Sequence, residues 1–374
     1  MKSPAPPFST ASAPPSGNSL PIDAAVTQMM EPIEAILANY PGATEFAMVR
    51  PGEAFIEQNG AWHRLELPQF SLKRCLELAN VVAIYANQDI SERAPLLSAT
   101  LPAGQRIQIV IPPAVERGQI SLCIRIPGSS VRSLESYVQD KVFDRYFWTQ
   151  QPLTASIATH PWSKLDQRLA QLLTERDLMG FLIAAVRGKK NIAIVGDTGS
   201  GKTTLMKAVC QYIAQHERII TIEDVRELFL PKHPNASHLL YSKGSQGVAK
   251  VTPADLIGAC MRLKPDRVLL AELRGSEAFD FLKLMTAGHS GSVTSFHAES
   301  CGLSPQRYVF MSKEHPDAAM FTDAALKQLV SMTIDIIVHI TAERMEDVAG
   351  QVIGVDRYVT EVSFDPSMKF KALA

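Results

Sequence analysis

The stretch that most restricts how this 374-residue chain can fold is "NIAIVGDTGSGKTTLMKAVCQYIAQ", residues 191–215. An apolar run of strand length ends in a glycine-rich loop. An amphipathic segment follows, with Leu205, Val209 and Ile213 four apart. The loop fits G-x-x-x-x-G-K-[ST] through Gly196, Gly201, Lys202 and Thr203. Glycines let successive backbone N–H groups turn inward on phosphate oxygens with no Cβ in the way. A helix after the loop brings its positive end to the same oxygens. Gly196, Asp197, Thr198, Gly199, Ser200, Gly201, Lys202, Thr203 and Thr204 are therefore the expected nucleotide-binding residues. Lys202 is expected to reach the β- and γ-phosphates of ATP, and the Thr203 hydroxyl to ligate Mg2+.

The neighbouring sequence extends this unit into a domain. From about residue 165 the strand-like runs "RIITIE", "RVLLAE" and "SVTSF" alternate with helical stretches, which predicts a mostly parallel sheet with crossover helices. "IDIIVHI" and "RYVTEVSFDP" predict two closing strands. This α/β domain is expected over 165–374. A smaller α+β domain is expected over 22–128. In it, "VTQMMEPIEAIL" has helical spacing, and "TEFAMVRPGEAFIEQNGAWHRLEL" is short strands broken by turns at "RPGE" and "QNGA". "SLKRCLELANVVAIYA" predicts a helix with Leu72, Cys75, Leu76 and Ala79 on one face, and "RIQIVIPPAVERGQISLCIRIP" a β-hairpin. Residues 129–164 are expected as a linker with one short helix. The Pro/Ser/Ala-rich residues 1–21 are expected to form a disordered arm.

Composition narrows the partners. Hydrophobic residues make up 46% of the chain, enough for two packed cores. A net charge of -1 gives no global electrostatic case for nucleic acid, so no direct nucleic-acid binding is expected. Cys75, Cys123, Cys210, Cys260 and Cys301 are scattered and form no C-x-x-C, which argues against a disulfide framework or a zinc site and fits a reducing compartment. No signal-peptide h-region is visible, and no apolar run approaches the roughly 18 residues needed to span a bilayer. A cytoplasmic protein is expected, with any membrane attachment made through partners.

Hydrolysis needs a carboxylate at a neighbouring strand end. Glu272 ends "RVLLAE", and Glu223 and Asp224 end "RIITIED". Ala271 stands where a metal-binding aspartate would usually end the strand. Glu272 is therefore expected to orient the attacking water, and Glu223 to serve Mg2+ or its water shell. Arg274 either orients a carboxylate or faces solvent. His297 ends another strand of the same sheet, on the edge where open α/β sheets bind ligands, and is expected to sense the γ-phosphate. His289 is left to a turn.

Four blocks occur in order: "GDTGSGKTT", "TIEDVRELFLP", "LKPDRVLLAELRGSEAFDFL" and "TAGHSGSVTSFHAES". They resemble the Walker A, Asp box, Walker B and His box of the traffic ATPases of secretion systems. With "ERAPLLSATLPAGQRIQIVIPPAVERGQISLCIRIPG", the chain most resembles the VirB11 branch, over about residues 25–365. The resemblance implies an α/β fold with a C-terminal RecA-like P-loop ATPase domain and a smaller PAS-like N-terminal domain. It implies a homo-hexameric motor that hydrolyses ATP with Mg2+ at the cytoplasmic face of the inner membrane, driving pilus assembly or transfer of DNA or protein. Its partners would be copies of itself, inner-membrane secretion components and the secretion substrate. It implies that Lys202 and Thr203 bind phosphate and Mg2+, that Glu223 lies in the Asp box, and that Glu272 and His297 are the Walker B and His-box residues. It also implies an arginine from the N-terminal domain at the nucleotide, Arg125 first and Arg106 second. Other readings remain open at this point. They are a type II secretion or type IV pilus motor, a RecA-like nucleic-acid-dependent ATPase, and a nucleotide-gated scaffold. Against them stand, in turn, the missing C-x-x-C pairs, the net charge and the carboxylate at Glu272.

Overall fold

The computed structural model describes residues 22–126, 131–150, 162–241 and 251–368, so the arm expected at 1–21 lies outside the described residues. The N-terminal part consists of α1 (Ile22–Leu37), β1 (Ala43–Arg50), β2 (Glu53–Gln58), β3 (Ala61–Glu66), α2 (Leu72–Tyr85), β4 (Leu96–Thr100), β5 (Arg106–Val110) and β6 (Ser121–Arg125). Its strands form one antiparallel sheet in the order β3-β2-β1-β6-β5-β4. The β2–β3 turn falls at Asn59-Gly60, both at positive φ as a two-residue hairpin loop demands.

Strand alternation decides what this sheet offers on each face. Phe46 and Met48 of β1, Ile107 and Ile109 of β5, and Leu122 and Ile124 of β6 pack in one core with Val26, Ile33, Leu78 and Val82 of α1 and α2. The buried face of α2 is turned from the expected one. Cys75 and Ala79 share it with Leu78, Val82 and Ala83, while Leu72 and Leu76 are only partly buried. Glu45, Arg106 and Arg125 are out of phase with the apolar set and lie on the opposite face. They form a row across three strands, because Glu45 pairs with Arg125 and Arg125 with Arg106.

The second body holds α3 (Leu134–Gln139), β7 (Phe147–Trp148), α4 (Lys164–Thr174), α5 (Leu178–Arg187), β8 (Ile192–Val195), α6 (Lys202–Cys210), β9 (Ile219–Glu223), β10 (Ala236–Leu240), α7 (Pro253–Leu263), β11 (Arg267–Leu270), α8 (Glu277–Thr286), β12 (Val293–Phe296), α9 (Ser304–Lys313), α10 (Asp323–Thr333), β13 (Ile336–Glu346) and β14 (Val352–Phe364). The strands order as β10-β9-β11-β12-β8-β13-β14-β7, with every pairing parallel except β13–β14. All residues of β8, β9, β11 and β12 are buried, so both faces of the sheet need cover. α4, α5 and α6 supply it on one face, α7 to α10 on the other. Part of the stretch expected as a linker belongs to this body. Leu134 and Tyr137 of α3 and Trp148 of β7 are in its core, and Trp148 Nε1 donates to the Phe364 carbonyl at 3.0 Å.

Arg267 opens β11 fully buried. Its Nε and Nη2 donate to Glu217 at 2.6 and 3.1 Å, and its other donors serve the carbonyls of Gly291 and Val186. Gly291 must be glycine, since a Cβ there would lie 2.2 Å from Arg267 Nη1. Arg267→Ala leaves Glu217 buried with only the half-exposed Lys189 to answer it. Breaking a buried pair in this way costs about 3 kcal/mol or more. A clear fall in the urea midpoint is the expected result, and an unchanged midpoint would show the pair to be dispensable.

The parallel arrangement gathers the C-terminal ends of β8, β9, β11 and β12 on one edge. The two bodies meet near it. Arg106 is ion-paired with Asp224 and lies 3.5 Å from Glu227. The β2–β3 turn abuts β14 so closely that a Cβ on Gly60 would come within 2.1 Å of Val355 Cγ2.

Candidate active site

β8 runs directly into the glycine loop. Gly196 (φ 146°) passes so close to β13 that a Cβ would sit 2.0 Å from the Ile340 carbonyl oxygen. Gly201 (φ 97°) is the N-cap of α6 and gives that helix no side-chain cap. The first-turn amides of α6 are thus left for a ligand, as at other anion-binding helix starts. Ser200 is fully buried, and its Oγ has no hydrogen-bond partner among the described residues. An uncapped helix start beside an orphaned hydroxyl fits a chain of phosphate oxygens. Asp197, Thr198 and Gly199 form the exposed rim, and Thr203 and Thr204 lie half-buried in the first turn.

Lys202 is almost completely buried. Its ammonium donates to the carbonyls of Gly196 at 2.9 Å and Asp197 at 2.7 Å and lies 3.4 Å from His297 Nδ1. Burial pushes its pKa down to about 8, opposed by Glu272 and Asp197 and reinforced by the positive charges of Arg125 and Arg274. On the other side of the ring, His297 Nε2 lies 3.0 Å from Glu272 Oε1. The other Glu272 oxygen accepts from Arg274, whose Nε is 2.8 Å away. Burial raises the Glu272 pKa, although His297 and Lys202 pull it down. Arg274 also lies 3.8 Å from Asp224, the carboxylate that holds Arg106. One line of charge therefore runs from the loop, through Lys202, His297, Glu272, Arg274 and Asp224, to Arg106 on the N-terminal sheet.

Lys202, Glu272 and His297 are brought together as the sequence leads one to expect, and Arg106 and Arg125 stand on the facing sheet. Arg125 is half-exposed and 4.0 Å from Glu45, yet its charge is felt at Lys202. Glu223 is differently employed. It is fully buried, with Oε1 accepting from Thr221 at 2.7 Å and Oε2 from the amides of Glu227 and Leu228 at 2.7 and 2.8 Å. His238 lies 3.5 Å from Oε1 as well. The metal role expected of Glu223 is left without support by these contacts. Its carboxylate closes the turn that presents Asp224 and Glu227 to Arg106. Arg274 orients carboxylates rather than facing solvent alone, and His289 serves the turn before β12, its carbonyl accepting the Ser292 hydroxyl at 3.1 Å. The seam role of Asp224 and Glu227 was missed. Their signal was present in "DVRE", residues 224–227, two acids three residues apart on one turn.

A family model described as "Type II/IV secretion system protein" matches residues 163–353. The chain is 40% identical over 348 residues to the type IV secretion system protein VirB11 of Brucella suis biovar 1 (strain 1330), covering 92% of each. It is 39% identical over 319 residues to the type IV secretion system protein PtlH of Bordetella pertussis, covering 85% of this chain and 89% of the relative. Among solved structures, the VirB11 ATPase of the Brucella suis system in complex with sulphate aligns at 40% identity and a TM-score of 0.49, over 92% of this chain and 99% of that one. The Legionella pneumophila ATPase DotB, at 16% identity, shares the fold with a TM-score of 0.53 over 96% of this chain and 86% of its own.

Proposed function

The chain belongs to the VirB11 family of type IV secretion ATPases, and on that premise we propose that it is an ATP-hydrolysing secretion motor whose nucleotide lies at the seam of its two bodies. One observation carries the chemistry. Lys202 at the start of α6, and His297 and Glu272 just beyond the ends of β12 and β11, stand together beside the phosphate loop and its uncapped helix.

On binding, Lys202 exchanges the Gly196 and Asp197 carbonyls for β- and γ-phosphate oxygens. Glu272 takes a proton from water as the water oxygen adds to the γ-phosphorus. The bond from that phosphorus to its bridging oxygen breaks, giving ADP and inorganic phosphate. His297 links the loop to Glu272 and so reports the γ-phosphate to the carboxylate. Mg2+, when bound, neutralises charge on the phosphates, and the Thr203 hydroxyl is the group we assign to it. Such an ion would be held by Thr203 together with substrate oxygens and water, and among the described residues no group of three or more His, Cys, Asp or Glu that could hold a metal ion is found.

Arg106 and Arg125 face each other across β5 and β6, where like charges repel. A nucleotide anion reached by both relieves that repulsion, Arg106 first leaving Asp224 and Glu227. The proposed moving parts are residues 22–128 and 165–374, joined through 129–164. Within that stretch α3 and β7 pack in the second body. A hexameric ring, inner-membrane partners and a position at the cytoplasmic face complete the proposal. Among the described residues no helix is long and apolar enough to cross a membrane.

The full chain should release phosphate from Mg-ATP, and a chain that binds ATP without turnover would leave only a nucleotide-gated scaffold. Arg125→Ala should weaken ATP binding about tenfold, the loss of one charge-assisted contact. Unchanged affinity in a titration would remove the N-terminal sheet from the nucleotide site.

A further inference from the structure

We propose that Arg357 is a second cation of the phosphate loop, a direct contact for the phosphate chain of a nucleoside di- or triphosphate. The inference rests on the nucleotide reading above and adds a residue to that site. Arg357 lies on β14, paired with Ala342 of β13. Its Nε donates to the carbonyl of Gly199 at 3.1 Å. Its Cδ lies 3.6 Å from where a Cβ on Gly201 would stand. The side chain therefore runs along the rim of the loop, from Gly199 to Gly201, the N-cap of α6. Arg106, Arg145 and Arg274 are each ion-paired with a carboxylate. No carboxylate lies within ion-pair distance of Arg357 among the described residues. One guanidinium N–H is used on a neutral carbonyl, and four remain. Beside it the same loop keeps the buried Ser200 hydroxyl unpartnered and the first turn of α6 uncapped. An exposed arginine held at a phosphate loop without a counter-ion is placed for an anion that the loop itself binds. The competing role is a brace, in which the hydrogen bond to Gly199 shapes the loop and the charge does nothing.

Gln and Lys separate the two, because Gln keeps an N–H donor without charge and Lys keeps charge without the fork. Equilibrium binding of ADP to the full chain would be measured by calorimetry for the parent, Arg357→Ala, Arg357→Gln and Arg357→Lys. Ala and Gln should both weaken ADP about tenfold, and Lys about threefold or less. Thermal midpoints should match the parent, since Arg357 is exposed. Parent-like binding by Gln with weakened binding by Ala would mean a brace and overturn the inference, as would equal affinities in all four. A parent that binds no ADP overturns the nucleotide reading itself, and this inference with it.

Discussion

Lys202→Ala should lower ATP turnover at least about a hundredfold and weaken ATP binding about tenfold. Lys202 is the cation that sits within the loop, between two loop carbonyls and His297. Alanine leaves the backbone cradle without a charge to meet the β- and γ-phosphates. The fold should survive. Burial has pushed the ammonium down to about 8, so holding it charged opposes folding near neutral pH, and its loss offsets the two carbonyls left short of a donor. The same shift sets a pH signature. Above pH about 8 the free loop of the parent loses its cation, so parent ATP affinity should fall as pH rises through that value, and the variant should lack this limb. Equal turnover by variant and parent would end the motor reading.

Glu272→Gln should retain ATP and hydrolyse it about 10²–10⁴ times more slowly. The amide keeps the size of the carboxylate but cannot take a proton from water. Burial holds the Glu272 pKa above the ordinary carboxylate range. Parent turnover should therefore rise with pH as Glu272 ionises, at a higher pH than a solvated glutamate would give, and the Gln variant should show no such rise. Glu223→Gln serves as the contrast. It should disturb the turn at Glu227 and Leu228, and with it the seam, while leaving the proton acceptor in place. Normal turnover by Glu272→Gln with loss in Glu223→Gln would reverse the two roles.

The parts of the site legible in the sequence are those where chemistry dictates residue type at fixed spacing. The loop from Gly196 to Thr204 is of that kind, and Glu272 and His297 follow once strand ends are recognised. Glu223 and Asp224 were less legible for a physical reason. Every residue of β9 is buried, so no polar alternation tells which way the adjacent carboxylates point. Hydrogen bonds from a turn four and five residues on settle Glu223. β7, two residues long, has no periodicity to read, and its place beside β14 comes from tertiary packing. Arg357 lies 158 residues from the carbonyl it touches, a proximity that only the completed β13–β14 hairpin creates.

The row of Glu45, Arg125 and Arg106 has a consequence for which insertions this chain can tolerate. Side chains of a strand change face at each residue, so a one-residue slip exchanges the two faces entirely. An extra residue within β5 would turn Arg106 or its neighbours under α2 and bring Ile107 or Ile109 out to the seam. Core and chemistry would fail together, since one alternation serves both. Lengthening the connection between β5 and β6 changes neither parity, and closing a longer loop adds only a small entropic term. Length variation in this domain is thus expected at residues 111–120 and excluded from the strands on either side, without any partner or substrate imposing it.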